Sequence, residues 1–323
     1  MNTLLTREDF ERQVFARDGN KCVICGDPAK DAHHLIERRL WTEPYEYQGY
    51  LVDNGVSVCA EHHVAAEKNW IPPQAFRRIL GLPTVMPKSL RCDTDYSKWG
   101  DPFRMPTRDA AKYPSSSYLD LSPGKHGGND VISPTTFADM PVVVTIKMDG
   151  SNVALRRDSM GARNGDTANH KSFDMLKALH SGFRHQIPEG IEIFGEWLYA
   201  KHSILYTGSL ALRSYLQIFA AYDMNWRVWL SWSDVVSLAY KIGYPVVPIV
   251  AAGTYKDWQL LNVVPTLGEE VIQDGHEGVV IRSIYPFHYG QFGTFLGKYV
   301  RENHVQTDDH WQAGPIVKNE VRA

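Results

Sequence analysis

The chain is poor in cysteine, carries no excess of positive charge and contains no long apolar run, and each shortage narrows what it can be. Four cysteines in 323 residues are too few to staple a chain of this length with disulfides. Three of them, Cys22, Cys25 and Cys59, have histidines interleaved, which in a reducing compartment points to metal binding; Cys92 is left over. A formal net charge of −3 excludes a strongly basic nucleic-acid coat protein. It leaves open an enzyme that handles phosphates through bound metals and a few arginines. No apolar stretch approaches the ~20 residues needed to cross a bilayer, and Met1 to Arg17 lack the apolar centre of a secretory signal. An intracellular, cytoplasmic protein without a membrane partner is expected. Internal repeats and low-complexity tracts are also lacking, which excludes a solenoid.

What is present is the composition of an ordinary globular protein, with 43% hydrophobic and 22% charged residues. The length predicts two domains. Residues 1–80 read as a helix from Thr6, a Cys-x-x-Cys knuckle, a His-rich segment and a closing helix over Pro73 to Leu80. Residues 81–111, with many Pro, Ser, Asp and Lys, read as a linker. Residues 112–323 alternate strand-like runs (142–146, 153–156, 191–197, 216–222, 228–230, 279–281, 295–299) with helical patterns at 172–185 and 231–242. Strands scattered among helices in one long domain predict an α+β fold of antiparallel sheets with flanking helices.

In the first domain, Cys22-Val23-Ile24-Cys25 and Cys59-Ala60-Glu61-His62 have the spacing of two halves of one zinc site. Cys22, Cys25, Cys59 and His62 would fill its four positions, so the ion would be structural. Asp31, His33, His34, Asn54, His63 and Glu67 remain outside that site. Residues 1–80 hold 10 Lys and Arg against 12 Asp and Glu, a net of 10 − 12 = −2, so any nucleic-acid affinity here must come mainly from bound metal and local geometry.

In the second domain, Lys147 follows the β-branched run Val142 to Ile146 and precedes Met148-Asp149-Gly150. A lysine leaving a buried strand is either a strand cap or a nucleophile, and the second role requires its pKa to fall from about 10.4. Asp149 can face a hydrated cation. Arg163-Asn164-Gly165 is either a phosphate grip or a hairpin turn. Glu196, inside the apolar strand Ile193 to Leu198, needs a ribose hydroxyl, a metal or a salt-bridge partner. Tyr222 beside Asp223 either stacks on a purine or belongs to the core. Glu277 stands at the mouth of Gly278 to Arg282, and Lys298 and Arg301 end the last apolar run.

In that order, Lys-x-Asp-Gly, Arg-Asn-Gly, Phe-Gly-Glu, Glu-Gly-Val-Val-Ile-Arg and Lys-Tyr-Val-Arg resemble the motifs of the covalent nucleotidyltransferases: DNA ligases, RNA ligases and capping enzymes. The match is closest to RNA ligases of the RNA ligase 2 type and covers about Lys112 to Asn319. The resemblance implies an ATP-dependent polynucleotide ligase with the ATP-grasp-like fold of that family. Lys147 would attack the α-phosphate of ATP to give lysyl-AMP. AMP would pass to a 5′-phosphate of nicked or broken RNA or DNA, and a 3′-hydroxyl would then seal the strand. Asp149 and Glu277 would face Mg2+ or Mn2+, Glu196 the ribose or a metal, Arg163 a phosphate, Tyr222 the adenine and Lys298 the α-phosphate. Two departures stand out: Val300 and Arg301 where the family often has a second lysine, and about twenty residues after the last motif, too few for an OB-fold.

The histidines of the first domain resemble the His-Asn-His endonuclease signature, whose ββα-metal core wraps around such a knuckle. By that resemblance His33 and His63 hold a second divalent metal, His34 is the general base, Asn54 orients it or fixes the loop, and Asp31 and Glu67 support the metal. A zinc-stabilised docking module without cleavage is the alternative for this domain. For the whole chain the alternatives are a nuclease with the ligase-like domain as a nucleic-acid clamp, and a capping-type guanylyltransferase.

Overall fold

The computed structural model describes residues 3–106, 113–125, 130–162, 169–302 and 315–322. The chain forms two compact units. Unit 1 is 1–107 with 226–228 and 286–291, and unit 2 is 108–225, 229–285 and 292–323.

Unit 1 opens with α1 (Arg7–Arg17), capped by Thr6, whose hydroxyl accepts from the Asp9 amide at 3.1 Å. Its apolar face, Phe10 and Val14, lies on the two-stranded sheet of β1 (Asp31–His34) and β2 (Gly55–Val58). A Cβ at Gly55 would sit 2.5 Å from the Phe10 ring, so only glycine permits this approach. β1 and β2 are antiparallel, with His33 opposite Val56. Cys59 ends the strand and begins α2 (Ala60–Glu67). The ββα order expected from the histidine signature is therefore present. α3 (Pro73–Leu80) starts on proline and stops on Gly81 in the left-handed conformation.

The stretch expected to be a linker is largely part of this unit. Leu82 and Tyr96 are buried, Gln74 donates to the Tyr96 carbonyl at 3.1 Å, and the Glu37 amide donates to the Lys98 carbonyl at 3.0 Å. Its Val85, Met86 and Leu90 pack against a small core of Ile36, Trp41 and Leu51. Residues 226–228 and 286–291 return to the same unit, where Asp95 takes a two-point bond from Arg227 (2.6 and 3.1 Å) and a contact from His288 at 3.0 Å.

Unit 2 contains β3 (Ser117–Leu119), β4 (Val131–Ile132), β5 (Pro141–Ile146), β6 (Ser151–Leu155), β7 (Met160–Ala162), α4 (Asp174–Phe183), β8 (Ile191–Trp197) and β9 (Leu216–Asp223). The short strand β10 (Val228–Trp229) follows where the chain crosses between units, then α5 (Trp232–Ile242), β11 (Ile249–Thr254), α6 (Asp257–Gln273) and β12 (Gly278–Ser283). β13 (Phe287–His288) belongs to unit 1, and α7 (Phe292–Phe295) and β14 (Leu296–Val300) complete unit 2. One sheet runs β11-β5-β12-β14-β3-β4, and in the other β9-β8-β6-β7 are consecutive. The second is antiparallel along these strands. The first is mixed, because β14 pairs with β3 and β3 with β4 in parallel, which corrects the expectation of purely antiparallel sheets.

Sheet faces and helices α4 and α5 enclose a core that includes Val143, Val153, Leu176, Ile193, Trp197, Leu216 and Val235. Each such side chain contributes about 1.5–3 kcal/mol on burial. β5 is buried at all of Val142 to Thr145 and hydrogen-bonded on both edges, which is why its pattern is a continuous apolar run. Among the described residues no helix is long and apolar enough to cross a membrane.

Candidate functional site

Lys147 leaves the end of β5, and its amide donates to the Gly278 carbonyl at 2.8 Å, extending the β5–β12 ladder by one step. Four residues later β6 begins in the other sheet, so the turn 147–150 joins the two sheets. The turn places the Lys147 ammonium 2.6 Å from Oε2 of Glu277, which immediately precedes β12. Burial works against the charged amine, but the charge and hydrogen bond of Glu277, with Glu196 and Asp149 beyond, outweigh it and raise its pKa.

Glu196 reaches the turn from β8, where it lies opposite Asn152, and its carboxylate accepts from the Gly150 amide at 3.0 Å. A Cβ at Gly150 would meet the Trp197 carbonyl at 2.7 Å, so the close approach requires glycine. Burial first, then the like charges of Glu277 and Asp149, push Glu196 up to about 8 despite Lys147 and the Gly150 amide. Lys298, on β14 opposite Val280, lies over the Tyr118 ring at 3.8 Å and exerts its charge on Glu277. Lys147, Glu196, Glu277 and Lys298 are thus brought together, two amines and two carboxyl groups at one junction.

Asp149 stands differently from expectation. Its Oδ2 accepts from the Ser203 amide (2.8 Å), the Ser203 hydroxyl (2.7 Å) and the Ile204 amide (2.7 Å), and its own amide donates to the Tyr206 hydroxyl at 2.9 Å. That oxygen anchors the turn to the loop after β8, and only Oδ1 is left to face a cation. Tyr222 is not at the site. It lies opposite Glu192 while Gln217 lies opposite Glu196, five residues along β9, which at ~3.3 Å per residue is roughly 16 Å. It is buried against Trp229 at 4.8 Å between centroids, so the adenine-stacking assignment is corrected to a core role. A cavity of about 190 Å³ instead opens next to Lys147, lined by Ile146, Met148, Leu212, Gln217, Pro248 and His276 among others. Arg163 lies outside the described residues.

In unit 1, the Cys22, Cys25 and Cys59 sulfurs and a His62 nitrogen all lie within 4.8 Å of one another. Cys25 and Cys59 sulfurs are 3.8 Å apart, and His62 Nδ1 is 3.1 Å from Cys59 Sγ and 3.6 Å from Cys22 Sγ. A tetrahedral zinc with ~2.3 Å Zn–S and ~2.1 Å Zn–N bonds requires edges of about 3.8 and 3.6 Å, so the donor set fits that ion. Burial opposes a thiolate at Cys22, yet hydrogen bonds from His62 and from the amides of Cys59, Cys25 and Ile24 bring it down to about 6.

A second group joins His33 on β1 with His63 and Glu67 on α2. Glu67 Oε1 is 3.3 Å from both His33 Nδ1 and His63 Nε2, and Asp31 Oδ2 contacts the other nitrogen of His63 at 3.1 Å. Lys98, a buried residue with no local sequence signal, also binds the Glu67 carboxylate. Burial, above other causes, drops His33 to about 4, leaving it in the neutral form that ligates metals. Asn54 is wholly buried, with Oδ1 accepting from the Ile36 amide (2.9 Å) and Nδ2 donating to the Ile36 and Gly49 carbonyls (3.1 Å each), so it fixes the loop. His34 is not in the cluster. Strand alternation turns it from His33 toward Phe10, stacked at 4.5 Å, and Tyr50, and its Nε2 is buried with no hydrogen-bond partner.

Residues 140–300 match the family model described as RNA ligase. No curated protein matches the chain. Among solved structures, an archaeal ATP-dependent RNA ligase is similar at 15% identity and a TM-score of 0.43, covering 75% of this chain and 64% of that one. The chain therefore spans less than two thirds of that protein. The Naegleria gruberi RNA ligase with pyrophosphate is similar at 15% identity and a TM-score of 0.39, covering 93% and 82%. The family match spans the segment that holds Lys147, Glu196, Glu277 and Lys298.

Proposed function

We propose that the chain is an ATP-dependent nucleic-acid ligase that uses Lys147 as its covalent nucleophile. The observation that carries this reading is the Lys147–Glu277 pair at the junction of two sheets, with Glu196 and Lys298 converging on it inside the family-matched segment. The Lys147 amine attacks the α-phosphorus of ATP; a P–N bond forms, the bond from the α-phosphorus to the α,β-bridging oxygen breaks, and pyrophosphate leaves with the electron pair. Because Glu277 keeps the resting lysine protonated, the ammonium must first give up its proton. A divalent cation, Mg2+ or Mn2+, held by Glu196 and Glu277 would neutralise phosphate charge and weaken the grip of Glu277 on Lys147. Lys298 faces the same phosphate, and the base enters the cavity beside Ile146 and Met148. AMP then passes to a 5′-phosphate, and a 3′-hydroxyl displaces it to form the phosphodiester. A nick-sealing panel with RNA and DNA on each side of the nick identifies the strand sealed; no sealing on any combination contradicts the reading.

For unit 1 the reading is a module built on a structural zinc at Cys22, Cys25, Cys59 and His62. A divalent metal at His33 and His63, with Glu67 as a further donor, would bind or cleave nucleic acid there. The grouping of two histidines and a carboxylate on the ββα frame supports it. Metal-dependent cleavage of nucleic acid lost in His63→Ala would establish the cleavage arm; equal cleavage by the variant would remove it.

A further inference from the structure

Eighteen residues, 198–215, connect β8 to β9 and contain only a single short turn of 3-10 helix at Gly208–Leu210. A connection of that length without structure of its own is ordinarily mobile. This one carries Ser203, Ile204 and Tyr206, the three residues that fix Asp149 two positions after the nucleophile. What fixes the loop is segment 315–322, laid back across it. Lys201 donates its amide to the Val317 carbonyl, Leu212 to Glu320 and Arg322 to Leu212, each at 2.8 Å.

Asn319 is the centre of this strap. It is buried, its Nδ2 donates to the carbonyls of Leu198 (2.8 Å) and Ala200 (3.3 Å), and its Oδ1 accepts from the Tyr206 amide at 2.9 Å. Its own amide donates to the Tyr199 carbonyl at 3.1 Å, and its carbonyl accepts from the Tyr215 hydroxyl at 3.0 Å. The Tyr206 carbonyl accepts from the Glu320 amide at 2.8 Å, so both backbone groups of Tyr206 are held by the strap. The Tyr206 hydroxyl then takes the Asp149 amide.

We infer that Asn319 is a positioning residue for nucleotidyl transfer, acting through Tyr206 on the Lys147–Gly150 turn. This rests on the reading of Lys147 as nucleophile. A buried asparagine that satisfies five polar groups of one irregular loop has little reason to be there unless the loop must be held in one geometry. A misplacement of about 1 Å at a reacting group costs on the order of 100-fold in rate.

The test is single-turnover labelling by ATP at saturating concentration, with hydrogen exchange read at the Asp149 amide. Asn319→Ala and Tyr206→Phe should each slow labelling by about 100-fold while the ATP concentration for half-maximal rate changes little. The double variant should be no slower than the slower single, as expected for one path. The Asp149 amide should lose protection in both. Labelling at the wild-type rate in Tyr206→Phe, or wild-type protection of the Asp149 amide in Asn319→Ala, overturns the inference. Tyr206→Phe removes one hydroxyl and decides the matter if Asn319→Ala does not fold. If the wild-type chain takes no label from any nucleotide, the nucleophile reading falls, and exchange at Asp149 alone judges the strap.

Discussion

Lys147 is held protonated by Glu277, so the neutral amine is a minor form at pH 7 and becomes more abundant as pH rises toward its raised pKa. Single-turnover labelling should therefore increase about tenfold per pH unit between pH 6 and 8, as for one ionisation. A flat profile would mean that the ion pair is not what limits attack. Glu196 makes an opposite and separable prediction about stability. Its folded-state pKa is raised from 4.5 to about 8, so the neutral carboxyl is the favoured form in the fold. That stabilisation is fully present below about pH 4.5 and is lost as pH rises through about 8. In metal-free protein, melting temperature should fall from pH 5 to 8 more steeply in wild type than in Glu196→Gln; parallel curves would contradict the assignment. That Lys147, Glu196, Glu277 and Lys298 lie near one another follows from sequence-legible strands, since each sits in or beside a strand with a neighbouring glycine or apolar run. Tyr222 was misread because an aromatic beside an acid reveals its type and not its height along the strand. Tyr206 and Asn319 carry no local signature, since their bonds join residues 113 positions apart.

At the scale of elements, strands were read well where burial makes a continuous β-branched run, and β8 has the expected bounds Ile191–Trp197. α6 was not read at all. Pro265 and Gly268 look like breakers, yet Gly268 is where the helix lies against the Tyr299 ring, and a Cβ there would sit 2.2 Å from it. α2 was legible only through the resemblance to the histidine signature and not from periodicity, because His62, His63, Glu61 and Glu67 hide any apolar stripe. Gly278 starts β12 with φ 147, and a Cβ there would lie 2.0 Å from the Tyr299 carbonyl. Gly278→Ala should force β12 from β14 and destabilise unit 2 by about 3 kcal/mol or more, measurable by urea unfolding. A change under about 0.5 kcal/mol would show that the strand pair relaxes at no cost. In unit 1 the four-donor set ties the knuckle at Cys22 and Cys25 to the N-terminus of α2. Purified protein should carry one zinc per chain by elemental analysis, and Cys59→Ser should lose it and melt lower; full stability without zinc would refute the site.

At the scale of the molecule, two units of different chemistry were legible in the sequence, because one has a Cys and His framework and the other an ordered series of strand-end charges. Their boundaries were not. Residues 226–228 and 286–291 return to unit 1 from within the sequence of unit 2, and such returns leave no mark in composition. Lys147, Glu196 and Glu277 belong entirely to unit 2, and the histidine cluster entirely to unit 1. His63→Ala should therefore leave the rate of nucleotide labelling unchanged while altering any metal-dependent cleavage; a parallel loss of labelling would mean that the cluster serves the lysine. The claim on which the account turns is that Lys147 becomes covalently nucleotidylated. Incubation with α-labelled ATP and Mg2+ or Mn2+, followed by denaturing electrophoresis, tests it most directly. Wild-type protein should retain the label and Lys147→Ala should have none. Label that persists in Lys147→Ala, or its absence from the wild type, would contradict the account.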